Sequence, residues 1–369
     1  MAVPFFDNKI QHEKIRGEID SAISSVVDSG HFILGPNVKA LEEEVAKYSG
    51  AKHGVGVANG TEAIHLALRA CGIKEGDEVI TSPFTFVATI EAILYIGARP
   101  VFVDIDPKTF NVDPRKIEKA VTSKTRAILP VHLYGLCADM GPITDIAKKK
   151  TLKVIEDAAQ AIGAEYSGKK ACSFGDAGCL SFFPTKNLGC FGDGGMVLTN
   201  SDEVAENVRV LRGHGSRKTY HYDMIGYNSR LDEIQAAILR VKLKYLVRWA
   251  SDRRNNAAIY DKELAGISQV ITPSAGAKQK HVYNQYTIRA KKRNTLQEFL
   301  KSKGIGAMIY YPISLHLHSV YATLGFKQGS LPASEDVQEE VLSLPIFPEL
   351  KEGQIKEVCG AIKEFYSNF

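Results

Sequence analysis

The sequence lacks any uninterrupted apolar stretch of the roughly eighteen residues that a membrane-spanning helix needs. Its first ten residues, MAVPFFDNKI, also lack the basic region and long apolar core of a signal peptide. We therefore expect a soluble, cytoplasmic protein with no membrane partner.

Cysteine is present, but not in the arrangement that a zinc site or a disulfide framework requires. The six cysteines are scattered without CxxC spacing, at Cys71, Cys137, Cys172, Cys179, Cys190 and Cys359. We expect reduced, mostly buried thiols and no metal.

Charge is not concentrated in one block either. The 46 basic and 42 acidic side chains leave a formal net charge of +4, without the basic patch typical of proteins that bind nucleic acid. Small-molecule chemistry is therefore favoured over nucleic-acid binding. A length of 369 residues favours one large domain followed by a smaller one.

Apolar periodicity predicts an α/β fold. Residues 9–29 have helical spacing that ends at Gly30, and a second helix follows FILGP through Leu41 and Val45. Helical segments then alternate with seven strand-like runs, at 55–59, 77–86, 100–106, 126–135, 153–159, 177–184 and 194–200. This alternation predicts a mainly parallel, seven-stranded sheet between layers of helices, with ligands bound beyond the carboxyl ends of the strands.

Candidate binding residues lie at those strand ends. Gly60 and Thr61 open a helix whose first N–H groups suit a phosphate, although a plain helix cap from Asn59 or Thr61 explains the same residues. Phe86 offers an aromatic face to a flat ring, or packs in the core. In VIEDAAQ, a carboxylate at 156 or 157 either pairs with a protonated pyridine nitrogen or caps the next helix.

The run SFFPTKNLGCFGDGG at 181–195 places one lysine, Lys186, in a turn between apolar residues and a glycine cluster. A primary amine forms a Schiff base with an aldehyde when its surroundings keep it partly deprotonated. Phe182 and Phe183 contribute to that desolvation. A lysine taken alone is usually a solvated surface charge, but the scarcity of other charges here favours a lysine that holds an aldehyde cofactor.

The motifs are more specific together than singly. In chain order, NGT, PFTFVAT, EDAAQ, SFFPTKNLG with GDGG, and GYNSRLDEIQAA resemble the pyridoxal-phosphate sugar aminotransferases of the DegT/DnrJ/EryC1/StrS family, which have fold type I. The resemblance extends from FILGP to YYPISLHLH at 310–318. It implies pyridoxal 5'-phosphate as cofactor, glutamate as amino donor, and a keto group of a nucleotide-linked hexose as acceptor.

The resemblance also implies residue roles. Lys186 matches the lysine that binds the cofactor and moves the substrate proton, and Asp157 matches the partner of the pyridine nitrogen. Gly60, Thr61 and Ser181 match the residues that bind the cofactor phosphate, and Phe86 and Gln160 match those that contact its ring. Asn228 matches a residue that reaches the phosphate from the neighbouring subunit, which implies a homodimer with shared active sites.

We expect the chain to form two domains. Residues 1–249 form a large cofactor-binding domain that ends in one long amphipathic interface helix at 226–249, with Ser229 and Asp232 as its capping box. Residues 250–369 form a smaller α+β domain with a strand at 306–311 and a closing helix near 352–366.

Substrate contacts are expected from Arg230, Tyr311 and His316. In family members that act on UDP-linked 3-oxo-hexuronates, an arginine matching Arg230 and a His-Tyr pair at 310 and 311 would hold the sugar carboxylate. Here Tyr310 departs from that pair, which disfavours a uronate, and we expect a UDP-linked 3-keto hexose. A local ion pair of Arg230 with residue 232 or 233 is the alternative.

Other functions share parts of this pattern. Amination of a 4-keto sugar uses the same motifs. A related group of sugar dehydratases has histidine where this chain has Lys186, and a nicotinamide dehydrogenase would need a G-x-G-x-x-G motif that no early strand carries. A non-catalytic sensor of the cofactor or of a nucleotide sugar is disfavoured by the presence of both Lys186 and Asp157.

Overall fold

The computed structural model of the protein describes residues 2–218 and 220–367. Its strands are, in chain order, β1 (His53–Val57), β2 (Glu78–Thr81), β3 (Arg99–Phe102), β4 (Thr125–Ile128), β5 (Lys153–Asp157), β6 (Glu165–Tyr166), β7 (Lys169–Lys170), β8 (Ala177–Ser181), β9 (Gly195–Thr199), β10 (Ser216–Lys218), β11 (His221–Tyr222), β12 (Val270–Ile271), β13 (Gln279–Lys280), β14 (Tyr286–Ala290) and β15 (Val341–Leu344).

Its α-helices are α1 (Lys9–Lys14), α2 (Arg16–Ser29), α3 (Pro36–Ser49), α4 (Gly60–Ala70), α5 (Ala88–Tyr95), α6 (Pro114–Ala120), α7 (Met140–Lys150), α8 (Asp202–Arg212), α9 (Glu233–Leu243), α10 (Leu246–Leu264), α11 (Arg293–Ser302), α12 (Pro332–Glu340) and α13 (Glu352–Ser367). Short 3-10 helices span Leu133–Gly135, Leu315–Leu317 and Ser319–Leu324. No helix of the described residues is both long and apolar enough to cross a bilayer.

Seven strands form the main sheet, in the order β1-β9-β8-β5-β4-β2-β3. The pairs from β8 through β5, β4 and β2 to β3 are all parallel. Strand β9 runs antiparallel to both of its neighbours, β1 and β8. The predicted mainly parallel, seven-stranded α/β sheet is therefore confirmed.

The sheet is buried on both faces. Successive strand residues point to opposite faces, and Val154 and Ile155 accordingly belong to two different hydrophobic clusters. A third cluster lies in the C-terminal part of the chain, where β14 pairs with both β12 and β15. The closing helix predicted near 352–366 is confirmed as α13.

The long interface helix predicted at 226–249 is wrong. The chain remains extended through Asp232, whose backbone bridges Ile33, and α9 begins only at Glu233. A turn then separates α9 from α10, with the Tyr245 N–H donating to the carbonyl oxygen of Lys242. The 249/250 boundary falls inside α10, and the division into two domains stays a prediction.

Two further local predictions are corrected. Ser229 and Asp232 do not form a capping box, because Asp232 makes no side-chain capping bond and the Ser229 hydroxyl accepts from the Ala58 N–H over 3.3 Å. The strand predicted at 306–311 is reduced to a single antiparallel bridge between Met308 and Ser343.

Candidate active site

Glu156 and Asp157 are the last two residues of β5, and their side chains lie on opposite faces of the sheet. Glu156 is fully buried, and its Oε2 accepts from Nε2 of His132 over 2.9 Å and from the Cys172 N–H over 2.8 Å. Its Oε1 accepts from the N–H groups of Phe174 and Gly175, each over 2.9 Å. With both oxygens bonded to protein, Glu156 holds the 172–175 loop and is not left open to a ligand.

Asp157 points to the opposite face and is 5% exposed. Its Oδ2 accepts from the Thr89 hydroxyl over 2.8 Å, and its Oδ1 accepts from the Ala159 N–H over 3.2 Å. Burial raises the pKa of Asp157, while the Thr89 hydrogen bond and the positive charge of Lys186 oppose that rise. Oδ1, with one long bond, keeps accepting capacity for a cationic ring nitrogen.

Lys186 lies in the turn that follows β8, where its N–H donates to the carbonyl oxygen of Phe183 over 2.8 Å. Burial lowers the pKa of its amine to about 8, and the Asp157 carboxylate partly offsets that effect. Within the described residues, the amine forms no hydrogen bond or ion pair. The lowered pKa leaves more of this amine uncharged at neutral pH than in a solvated lysine.

Gly60 and Ser181 meet at the ends of two strands that are not neighbours. A Cβ at position 60 would lie 2.7 Å from Cβ of Ser181, so only glycine allows this approach. Asn59 caps α4, with its Oδ1 accepting from the Glu62 N–H over 2.9 Å. The capping alternative is thus realised by Asn59, while Gly60 and Thr61 keep first-turn N–H groups that the helix itself leaves without acceptors.

Gln160, Tyr311 and Phe86 form an aromatic and amide wall beside Asp157. Gln160 Nε2 donates to the Tyr311 hydroxyl over 3.4 Å, and Gln160 Oε1 accepts from the Tyr134 N–H over 2.6 Å. The Phe86 ring is 58% exposed and its centroid lies 6.3 Å from that of Tyr311. Phe86 is therefore not a core residue and presents a free aromatic surface.

Asn228 and Arg230 flank Ser229, whose bond to Ala58 places them beside the junction of β1 and α4. Asn228 is exposed. Nε of Arg230 is buried and has no hydrogen-bond partner among residues 2–218 and 220–367. The alternative of a local ion pair is wrong, because Glu233 instead accepts from N–H groups at the start of α3 and Asp232 makes no bond to Arg230.

His316 is placed differently from the other expected site residues. It is 3% exposed, and its Nε2 lies 3.0 Å from Oε1 of Glu335. Its ring packs near those of Phe102 and Phe326. The structure therefore presents His316 as a buried paired residue, and its contact with substrate stays a prediction.

Sequence reasoning missed Thr89, which is buried and bonded to Asp157. The available signal was a second threonine four residues earlier, Thr85, whose hydroxyl oxygen lies 2.9 Å from that of Thr89. It also missed Asn284 and Tyr134, which contact the loops carrying Lys186 and Gln160. No local pattern pointed to those two residues, because their contacts join distant parts of the chain.

The arrangement fits pyridoxal phosphate. The desolvated amine suits the aldehyde of that molecule, and the buried carboxylate on the same side suits its ring nitrogen. The exposed aromatic ring suits the face of its ring, and the open helix start suits its phosphate. Lys186, Asp157, Phe86 and Gly60 would be the residues that hold these four groups.

Comparisons with known proteins agree with this chemistry. Residues 13–363 match the DegT/DnrJ/EryC1/StrS aminotransferase family. The chain is 56% identical to a pleiotropic regulatory protein of Geobacillus stearothermophilus, over all of both chains. It is 49% identical to the UDP-N-acetyl-3-dehydro-alpha-D-glucosamine 3-aminotransferase of Acidithiobacillus ferrooxidans, over 98% of this chain and 97% of that one.

The fold comparison gives the same result. The crystal structure of S. venezuelae DesV in complex with a ketimine intermediate superposes with a TM-score of 0.97 at 43% identity, covering 99% of this chain and 98% of that one. The fold is thus that of fold-type I aminotransferases. The chain belongs to the DegT/DnrJ/EryC1/StrS family of aminotransferases, whose cofactor is pyridoxal phosphate.

Proposed function

We propose that this protein transfers an amino group from glutamate to the 3-keto group of a UDP-linked hexose, with Lys186 as its catalytic residue. The observation that carries the proposal is the desolvated Lys186 amine at the end of β8, on the same side of the sheet as the buried Asp157 carboxylate at the end of β5. Uncharged amine is the form that binds an aldehyde and accepts a proton.

Each residue then has a physical task. Bound pyridoxal phosphate supplies an electron sink for the carbanion that transamination creates. Lys186 would hold the cofactor, and its free amine would remove and return the proton at the substrate carbon. Asp157 keeps the ring nitrogen protonated, and Gln160 and Phe86 fix the plane of the ring. Gly60, Thr61 and Ser181 bind the phosphate.

The substrate assignment is supported by two observations. The Acidithiobacillus relative is named for a UDP-linked 3-dehydro sugar and is 49% identical over nearly the whole chain. Nε of Arg230 is buried without a protein partner and so can donate to a polar sugar group. Tyr310 in place of histidine weakens the case for a uronate.

A homodimer is supported by apolar surface around the site. Phe32, Ile33 and Phe183 are each about half exposed. Phe183 is three residues from Lys186, and the backbone of Ile33 bridges Asp232, close to Asn228 and Arg230. Asn228 is exposed as well. We place these residues at the interface of two copies, where Asn228 reaches the cofactor phosphate of the neighbouring subunit.

The test is a pair of half-reactions on the purified protein. Glutamate should bleach the visible absorbance of the cofactor-loaded protein and release 2-oxoglutarate. The resulting pyridoxamine form should then regain its absorbance with UDP-linked 3-keto hexoses. Efficient amination of 4-keto sugars alone would overturn the keto position. Binding of cofactor without turnover of any keto-sugar would favour a sensor, a function also suggested by the regulatory name of the Geobacillus relative.

A further inference from the structure

Residues 282–285, from the C-terminal part of the chain, lie against the turn that carries Lys186. Asn284 Nδ2 donates to the carbonyl oxygen of Thr185 over 3.4 Å and to Oδ1 of Asn187 over 3.2 Å. Asn187 Nδ2 in turn donates to the carbonyl oxygen of Val282 over 3.0 Å. Both residues that flank Lys186 are thus bonded to one side chain, that of Asn284.

The same segment also holds the loop that follows β4. The Asn284 N–H donates to the carbonyl oxygen of Tyr134 over 2.9 Å, and the Val282 N–H donates to that of Gly135 over 3.0 Å. The N–H of Tyr134 in turn donates to Oε1 of Gln160 over 2.6 Å. One short segment therefore fixes both the lysine's turn and the amide proposed at the cofactor ring.

Stability alone does not account for an asparagine at this position. Asn284 is 7% exposed, and its Oδ1 is buried with no hydrogen-bond partner among the described residues. A buried amide oxygen without a partner costs free energy that an apolar side chain of similar size would not. The hydrogen bonds of Asn284 Nδ2 fix the geometry of the turn that carries Lys186, and this offsets the cost of the unpaired oxygen.

We propose that Asn284 is a positioning residue for amino transfer, because its bonds to Thr185 and Asn187 keep the turn closed around Lys186. The proposal rests on the proposed role of Lys186. Its consequence is electrostatic: burial lowers the pKa of the Lys186 amine from 10.5 to about 8, and a loosened turn would let water reach the amine and raise its pKa again.

The experiment compares Asn284→Ala with the matched control Gln285→Ala. Gln285 is the adjacent amide, and its side chain makes no bond to the lysine's turn within the described residues. Both variants and the wild type are converted to the pyridoxamine-phosphate form, in which the Lys186 amine is free. Acetic anhydride then labels Lys186 competitively from pH 6 to 10, and mass spectrometry of its peptide gives the midpoint of reactivity.

We expect the midpoint to move up by about one pH unit or more in Asn284→Ala and to stay in place in Gln285→Ala. A folded Asn284→Ala protein with the wild-type midpoint would overturn the proposal. If Asn284→Ala does not fold, Asn187→Ala tests the same contact from its other side, since it removes the acceptor, and an unchanged midpoint there has the same meaning.

A different experiment tests the proposed function, so its failure can be told apart from failure of the positioning proposal. Turnover that survives Lys186→Ala would reject the catalytic role of Lys186, whereas the labelling midpoint reports only how the turn holds its amine. A midpoint shift in Asn284→Ala therefore supports positioning of the turn whichever sugar the enzyme uses.

Discussion

Thr89 donates its hydroxyl proton to Oδ2 of Asp157 over 2.8 Å, on the face of the sheet that also carries the amine of Lys186. Because Asp157 can only accept when ionised, Thr89 must use its single proton on this bond, and the Thr85 hydroxyl 2.9 Å away must donate to Thr89. The Thr89 hydrogen bond thus opposes the rise that burial causes in the pKa of Asp157.

The first prediction follows from that bond. Thr89→Val should weaken the binding of pyridoxal phosphate by roughly 1.5–3 kcal/mol, the value of a hydrogen bond to a charged group. Equilibrium titration of the cofactor-free protein measures it. Thr89→Ser keeps the hydroxyl and should bind nearly as the wild type does, while equal affinity in the valine variant would show that Asp157 does not need Thr89.

The second prediction concerns Lys186 itself. Lys186→Ala should lower turnover by about 10⁴-fold or more, because it removes both the attachment of the cofactor and the proton shuttle. The fold should survive, since the residue lies in a turn. Circular dichroism and a coupled assay of 2-oxoglutarate release check the two statements, and near-normal turnover would remove Lys186 from the mechanism.

The third prediction concerns the pH dependence of stability. The folded pKa of Lys186 is about 8 and the ordinary value is 10.5, so the folded chain binds fewer protons between those values and is stabilised as pH rises through them. Below about pH 8 the full cost of burying the ammonium is present. Lys186→Met should therefore be more stable than the wild type at pH 7.

That gain should shrink as the pH approaches 10.5. Urea unfolding of cofactor-free protein at several pH values measures it, and the difference between the two proteins isolates Lys186 from Lys242, whose pKa burial also lowers to about 8. A gain that is independent of pH would mean that the amine is solvated in the folded chain.

The fourth prediction tests Asn228 across two subunits. Protomers carrying Lys186→Ala, mixed with protomers carrying Asn228→Ala, should form heterodimers in which one site contains neither lesion. Activity should then recover to about a quarter of the wild-type level, as random pairing and one good site per heterodimer require. Heterodimers that form without regaining activity would place Asn228 in its own subunit's site or outside it.

The fifth prediction separates sugar from donor. Arg230→Ala should weaken the sugar half-reaction by roughly 1.5–3 kcal/mol in kcat/KM and leave the glutamate half-reaction unchanged. Single-turnover absorbance changes measure each half. Equal losses in both halves would show that Arg230 supports the donor or the fold, and Arg230→Lys should recover only part of the loss because its amine lacks the planar fork.

The sequence predicted those features that depend on local pattern. Strand runs and glycine-rich turns placed Asp157 and Lys186 at strand ends, because ligands gather where parallel strands finish. The local pattern did not separate Glu156 from Asp157, since the choice depends on which face each residue meets in the assembled sheet; only the family resemblance selected Asp157.

The helix break before Tyr245 escaped prediction for a related reason. The apolar spacing continues across it, and the Tyr245 ring stacks on that of Trp249 with centroids 5.6 Å apart. Periodicity records which residues are buried, but not where the chain turns between them. The contacts of Asn284 were likewise invisible, because they join residues nearly one hundred positions apart.

Strand β9 lies between β1 and β8, so the phosphate-binding corner depends on a strand that comes later in the chain than Gly60 and Ser181. Val57 pairs with Gly195, and the contact of Gly60 with Ser181 depends on the strands on either side of that pairing. A nascent chain of about 190 residues would contain Gly60 and Ser181 but not β9, the strand that joins β1 to β8. Because such long-range pairing is slow, we expect the phosphate-binding corner to form late in folding.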